Sequence, residues 1–237
     1  MTCDEVAAEA AAAFDVRVTE TLQRQARFAV AVPGGSVART VFPRLAELSL
    51  PWDRVDLTFV DERIVPLSNR DSNGGAARAE WIDRLGPLRP RIIAPPVDRV
   101  DPDDVAAGWQ LSLVDALGTP PRLDLAILGM GPDGHVASLF AGHPLLDRRG
   151  AWTAGLADSP KPPPARVTLT LDALAAASEI WVIAFGREKA AAVADARDNP
   201  ASQLPAAIVA RAARRVQWFL DDPAASRGTQ RSTEGKN

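Results

Sequence analysis

The stretch "LDLAILGMGPDGHVASLF" at residues 123–140 decides the fold. Its opening, "LDLAILG" (123–129), is apolar on both faces, the pattern of a strand in a parallel sheet covered on both sides. A glycine-rich turn follows, and then residues patterned as a short helix. Strand, turn and helix in that order make up most of a βαβ unit.

The same grammar recurs on either side. An Ala- and Glu-rich helix over 4–26 precedes the strand "RFAVAV" (27–32), the turn "PGGS", and a helix on which Val37, Val41, Leu45 and Leu48 keep helical spacing. Pro43 interrupts that helix and predicts a kink or restart. "VDLTFV" (55–60) and "RIIA" (91–94) read as strands, with a helix over 74–85 between them. Asp101 followed by Pro102 marks the start of a helix running to Leu117. "RVTLTL" (166–171), "IWVIAF" (180–185) and "RVQWFL" (215–220) are further strands, with a helix at 187–197. The chain therefore reads as α/β: an open, mostly parallel, Rossmann-like sheet with helices on both faces. Residues 1–221 are expected to form a single domain and the polar residues 222–237 a disordered tail.

Bulk composition narrows the function. A net charge of −3 and a pI near 5.5 exclude the basic face of a nucleic-acid binder. No run approaches the ~18 apolar residues of a membrane span. The first residues lack the basic segment of a secretory signal. One cysteine, Cys3, rules out an internal disulfide and fits a cytoplasmic protein.

In sheets of this kind, ligands sit beyond the carboxyl ends of the strands, and the polar motifs fall there. "VPGGS" (32–36) offers Gly34 and Gly35 for close backbone approach to an anion and Ser36 as helix cap or phosphate donor; alone, it is equally a tight turn. "VDERIVPLSNRDSN" (60–73) brings Asp61, Glu62 and Arg63 to a strand end, as anion clamp or as surface ion pairs, while "DSN" can be a helix cap. "SPKPPPARVTLT" (159–170) is a stiff loop carrying Lys161 and Arg166. "AFGREKAAAV" (184–193) puts Lys189 in the first turn of a helix, where an anion would offset its charge, although a plain surface lysine fits too.

Gly129-x-Gly131-x-x-Gly134 has the spacing of a dinucleotide turn. It lies in mid-chain, however. The next acid, Asp147, is too near, and Asp158 lies in a proline-rich loop instead of at a strand end. The glycines can instead expose Asp133 and His135 at the start of the expected helix, where a neutral imidazole could take a proton from water. His143, the other histidine, is read as a cap.

"GGS", "VDER…VP…DSN", "LGMGPDGH-x-ASLF-x-GHP", "SPKPPP-x-RVTLT" and "G-x-x-KA" occur in that order. Together they resemble the 6-phosphogluconolactonases, within the superfamily of the glucosamine- and galactosamine-6-phosphate isomerases, over roughly residues 25–220. The resemblance implies the deaminase/ribose-5-phosphate isomerase type of fold. It also implies a carboxylic ester hydrolase of the oxidative pentose phosphate pathway, acting on 6-phospho-D-glucono-1,5-lactone with no cofactor and no metal. By the same resemblance His135 is the general base and Asp133 its partner. Gly34, Gly35, Ser36, Asp61, Arg63, Arg166 and Lys189 bind substrate, with Lys189 and Arg166 assigned to the phosphate and Arg63 to the sugar. The expected partner is a small sugar-phosphate lactone, with no nucleic acid and no membrane, and the chain a monomer or weak homodimer. Two rivals stay open: a sugar-phosphate deaminase or isomerase with Asp61 as base, and a non-catalytic sugar-phosphate sensor.

Overall fold

The computed structural model describes residues 1–226 of the chain. Nine strands and eight helices alternate along the described residues. The central sheet is built from β1 (Phe28–Val32), β2 (Val55–Phe59), β4 (Arg91–Ile92), β5 (Leu125–Gly129), β8 (Ile180–Ala184) and β9 (Val216–Leu220). Their order is β4-β2-β1-β5-β8-β9, and every pairing is parallel. Every residue of β1, β2 and β8 is buried, so both sheet faces are covered, as the unbroken apolar runs require. The chain winds outward from β1 to β4, then returns to β5 beside β1 and winds the other way. The strand order thus reverses between β1 and β5, where an open α/β sheet leaves a crevice.

The helices start where local chemistry dictates. α1 (Cys3–Leu22) is closed by a reciprocal capping box between Thr2 and Glu5. α4 (Pro102–Leu117) is capped by Asp101, whose side chain accepts from the backbone of Asp103 and Asp104. α2 (Gly35–Ala46) runs through Pro43 as one assigned helix instead of restarting there. Its buried stripe of Val37, Val41, Phe42 and Leu45 packs it into the core on both sides of the proline.

Three expectations need correcting. "RVTLTL" does not extend the parallel sheet. As β7 (Arg166–Leu169) it lies between β3 (Asp61–Arg63) and β6 (Thr153–Leu156) in a separate three-stranded antiparallel sheet. That sheet joins the main one through the backbone bond from Leu169 N–H to Val60 C=O. Second, no helix follows the glycine-rich turn. Gly134 (φ +76°) and Ala137 (φ +50°) both take left-handed backbone conformations, and single bridges pair Val136 with Met130 and with Leu139. The segment is a compact loop. Third, the tail does not begin at 222: Asp222–Ala225 form a turn of helix, α8, capped by Asp221, whose carboxylate accepts from Ala224 N–H. The rest of the expected tail, 227–237, lies outside the described residues.

Trp52 and Trp81 belong to the core: they meet edge-on, Trp81 also meets Phe14 edge-on and Phe42 at a tilt, and Trp52 stacks on Phe14. No described helix is long and apolar enough to cross a membrane.

Candidate active site

The crevice at the β1–β5 reversal is a cavity of about 200 Å³. It draws its walls from five places: the loop after β1, the start of β3, the loop after β5, β7, and the segment after β8. Gly34, Gly35, Ser36, Asp61, Arg63, His135, Arg166 and Lys189 all line it. Of the residues expected to form a site, only Asp133 stands outside this lining, directly behind the imidazole.

The glycine-rich turn serves that imidazole. Nδ1 of His135 pairs with Oδ1 of Asp133 in a short hydrogen bond. A β-carbon on Gly131 would stand 2.2 Å from the ring and 2.6 Å from the Asp133 carboxylate, so only glycine lets the pair lie flat on the backbone. Gly131 N–H donates to the carbonyl of His135, which closes the loop. The ring's other side rests on Phe140, with centroids 4.8 Å apart. In a neutral imidazole that donates Nδ1–H to this carboxylate, the lone pair is on Nε2. Burial alone would raise the Asp133 carboxyl; the hydrogen bond from His135 and the charges of His135 and Lys161 outweigh it and hold the group below its ordinary value.

The anion end is built differently from the expectation at one point. Ser36 does not cap α2. Gly34 is the cap residue and offers no side-chain bond, so no side chain caps the first N–H groups of that helix. Ser36 instead faces Lys189, whose Nζ lies 3.5 Å from the serine hydroxyl. Lys189 stands at the start of α6 (Ala190–Asp198), is buried, and pairs with no carboxylate among the described residues. Burial lowers its pKa. A buried ammonium beside uncapped helix N–H groups is an arrangement with the chemistry to accept an anion.

Asp61 is tied down. Oδ1 accepts from Asn73 Nδ2 at 2.9 Å and Oδ2 from the Ser138 hydroxyl at 2.6 Å, with Arg166 at 3.7 Å. Asn73 opens α3 (Asn73–Glu80), and its side chain fills the place a β-carbon of Gly34 would need, 1.8 Å from Asn73 Oδ1. Glu62 fixes that helix start: its buried carboxylate accepts from the backbone N–H groups of Arg63, Asn73 and Gly74. Burial raises the Glu62 carboxyl in spite of those donors. Arg166 directs Nε and Nη2 at the carbonyls of Lys161, Pro162 and Pro163, leaving Nη1 toward Ser138 and Asp61. Arg63 donates Nη1 to the carbonyl of Asp71 at 2.6 Å, while its buried Nε has no partner. Of the two guanidiniums, Arg63 is thus the one with donors left over. His143 caps a short helical turn at Pro144–Asp147, as expected, and its Nε2 also bonds Asp158.

Asn73 and Ser138 were missed as site residues. A polar residue in the apolar run "VASLF" and the last residue of "DSN" were the signals on offer. Among the described residues, no three His, Cys, Asp or Glu side chains converge as metal ligands would.

The model of the family "Glucosamine-6-phosphate isomerases/6-phosphogluconolactonase" matches residues 2–218. The chain belongs to this family. A 6-phosphogluconolactonase from Rattus norvegicus is 39% identical over 207 residues, covering 84% of this chain and 80% of its own. One from Homo sapiens is 39% identical over 214 residues, covering 85% and 81%. The crystal structure of 6-phosphogluconolactonase from Thermotoga maritima superposes with a TM-score of 0.82 at 25% identity, covering 93% of this chain and 96% of that one. The fold is thus shared with a solved 6-phosphogluconolactonase at 25% identity.

Proposed function

We propose that the chain hydrolyses 6-phospho-D-glucono-1,5-lactone to 6-phosphogluconate in the oxidative pentose phosphate pathway, with His135 as general base. The observation that carries this is the Asp133–His135 pair presented at a cavity whose other charged walls are Asp61 and three cations, Arg63, Arg166 and Lys189. Ser36, the N-terminus of α2 and Lys189 receive the phosphate. Arg63, with an unpartnered Nε, reaches the sugar or the carbonyl oxygen.

Water loses a proton to Nε2 of His135 as its oxygen adds to C1 of the lactone. The carbonyl π pair moves onto oxygen, facing the cationic wall. Collapse re-forms the carbonyl and breaks the bond from C1 to the ring oxygen, which takes the proton back from the imidazolium. A strained ester needs no covalent nucleophile for this. A general base contributes about 10²–10⁴-fold, and anchoring the phosphate sets the carbonyl beneath the water.

The deaminase alternative would use Asp61, held by one hydrogen bond at each oxygen, as its base, and ammonia release from glucosamine 6-phosphate tests it. A single cysteine fits the cytoplasm. The test is hydrolysis of freshly generated lactone, corrected for spontaneous opening. His135→Ala should lower kcat by about 10²–10⁴-fold and leave binding of 6-phosphogluconate intact. Undiminished turnover in that variant, or ammonia release from glucosamine 6-phosphate by the wild type, overturns the reading.

A further inference from the structure

Lys161 lies outside the cavity yet touches its chemistry. It stands in the proline-rich loop between β6 and β7, and its Nζ lies 3.3 Å from Oδ2 of Asp133, the oxygen that His135 leaves free. His135 lines the cavity, whereas neither Asp133 nor Lys161 does. The order outward from the cavity is imidazole, carboxylate, ammonium.

The loop is constructed to keep the ammonium there. The Ser159 hydroxyl donates to the Lys161 carbonyl at 2.9 Å and accepts from the Lys161 N–H at 3.2 Å. Arg166, almost wholly buried, donates from Nη2 to the same carbonyl at 3.0 Å and to that of Pro162 at 3.2 Å. Prolines at 160, 162, 163 and 164 restrict the backbone on both sides. A surface lysine with no task would not need its main chain held by a buried guanidinium.

We propose that Lys161 is a positioning residue for the reaction: it grips the outer oxygen of Asp133 so that the inner one stays on the imidazole of His135. The proposal rests on the reading of His135 as general base. A carboxylate held by one bond can swing about its Cβ–Cγ axis; one held at both oxygens cannot. Charge acts in the same arrangement. The imidazole is faced by Asp133 from its own loop and, behind it, by Lys161 from the β6–β7 loop. Arg166 of β7 lies over Phe140, on which the imidazole stacks. Asp61 and Arg63 of β3, and Lys189 before α6, share the cavity. Removing one cation from this set makes the imidazolium easier to form, so the base is lost at a higher pH. Lys161 and Asp133 are 44% and 42% exposed, and solvent screens a pair of that kind, so the effect of charge is modest beside that of position.

Steady-state kinetics from pH 5 to 9 on wild type, K161M, K161R and H135A test this. K161M should lose roughly three- to ten-fold in kcat near pH 6, keep KM within about two-fold, and move the acid limb of kcat upward. K161R should restore both. An unmoved limb with unchanged kcat in K161M overturns the proposal. So does a rise in KM alone, which would make Lys161 a substrate contact. If the wild type is inactive, or H135A keeps full turnover, the function itself is wrong and Lys161 falls with it. If activity depends on His135 but K161M is silent, only Lys161 falls.

Discussion

Gly131 is where a missing side chain does the most. The imidazole of His135 and the carboxylate of Asp133 occupy the volume a β-carbon would take, at 2.2 Å and 2.6 Å. Gly131 is not among the glycines with positive φ, so alanine meets no left-handed strain there, and the imidazole and the carboxylate must move instead. Misplacing a catalytic group by about 1 Å costs on the order of 10²-fold in rate. G131A should therefore lose about that much kcat while its thermal midpoint stays near that of the wild type. A large fall in midpoint with kcat per folded molecule preserved would show that the glycine serves the fold and not the imidazole. At this scale the sequence was most legible. The chemistry proposed for His135, Asp133, Ser36 and Lys189 is one that their residue types announce, and each of these residues lies just after a strand. Asn73 and Ser138 were not legible, because each is ordinary until folding sets it against Asp61.

Elements explain Asp61's fixed state. α3 begins on the carboxylate of Glu62, which takes the first two N–H groups of the helix, and this sets Asn73 between Asp61 and Gly34. N73D keeps the shape and replaces the Nδ2 donor, 2.9 Å from Asp61 Oδ1, by an acceptor. Two acceptors face one another there with Glu62 close behind, at a cost of about 1–3 kcal/mol. The new carboxylate lies beside existing ones, so its folded pKa is raised. The destabilisation therefore grows as pH rises above the ordinary carboxylate range, and thermal melts at pH 5 and pH 8 should show a larger deficit at pH 8. An equal deficit at both would mean packing alone is at fault. The cap at Ser72 could be read in "DSN", but the pairing of Glu62 with the next helix start could not, since it joins residues 10 or more positions apart. The antiparallel sheet escaped for a similar reason. β3 is three polar residues, Asp61, Glu62 and Arg63, with no periodic signal, and only pairing with β7 makes it a strand. The helix expected after Gly134 failed because left-handed Gly134 and Ala137 turn the chain away from it.

For the molecule as a whole, the parallel sheet was visible in its apolar runs, because burial on both faces removes the need for alternation. Its weakest member is β4, an edge strand of two residues, and a charge cluster ties it in. Asp56 of β2 is buried and bonded by Arg27, just before β1, and by Arg91 of β4 at 2.7–2.9 Å. Burial alone would raise the Asp56 carboxyl, but the hydrogen bonds and charges of Arg27 and Arg91 outweigh it and hold the group below its ordinary value. A carboxyl whose folded pKa is depressed contributes stability that is complete above its unfolded pKa, about 3.9. That contribution fades as pH falls through the lower folded value. D56N removes it and leaves two guanidiniums facing a neutral amide. Both are partly exposed, at 38% and 47%, and solvent relieves part of the loss. The expected cost near pH 7 is about 1–3 kcal/mol, below the 3–5 of a fully buried pair. Urea titrations at pH 7 and pH 3.5 should show the gap between wild type and D56N narrowing at the lower pH, because acid begins to remove from the wild type what the variant already lacks. A gap that stays constant or widens on acidification would mean that Asp56 is not the charged tie that fastens β4 to the sheet.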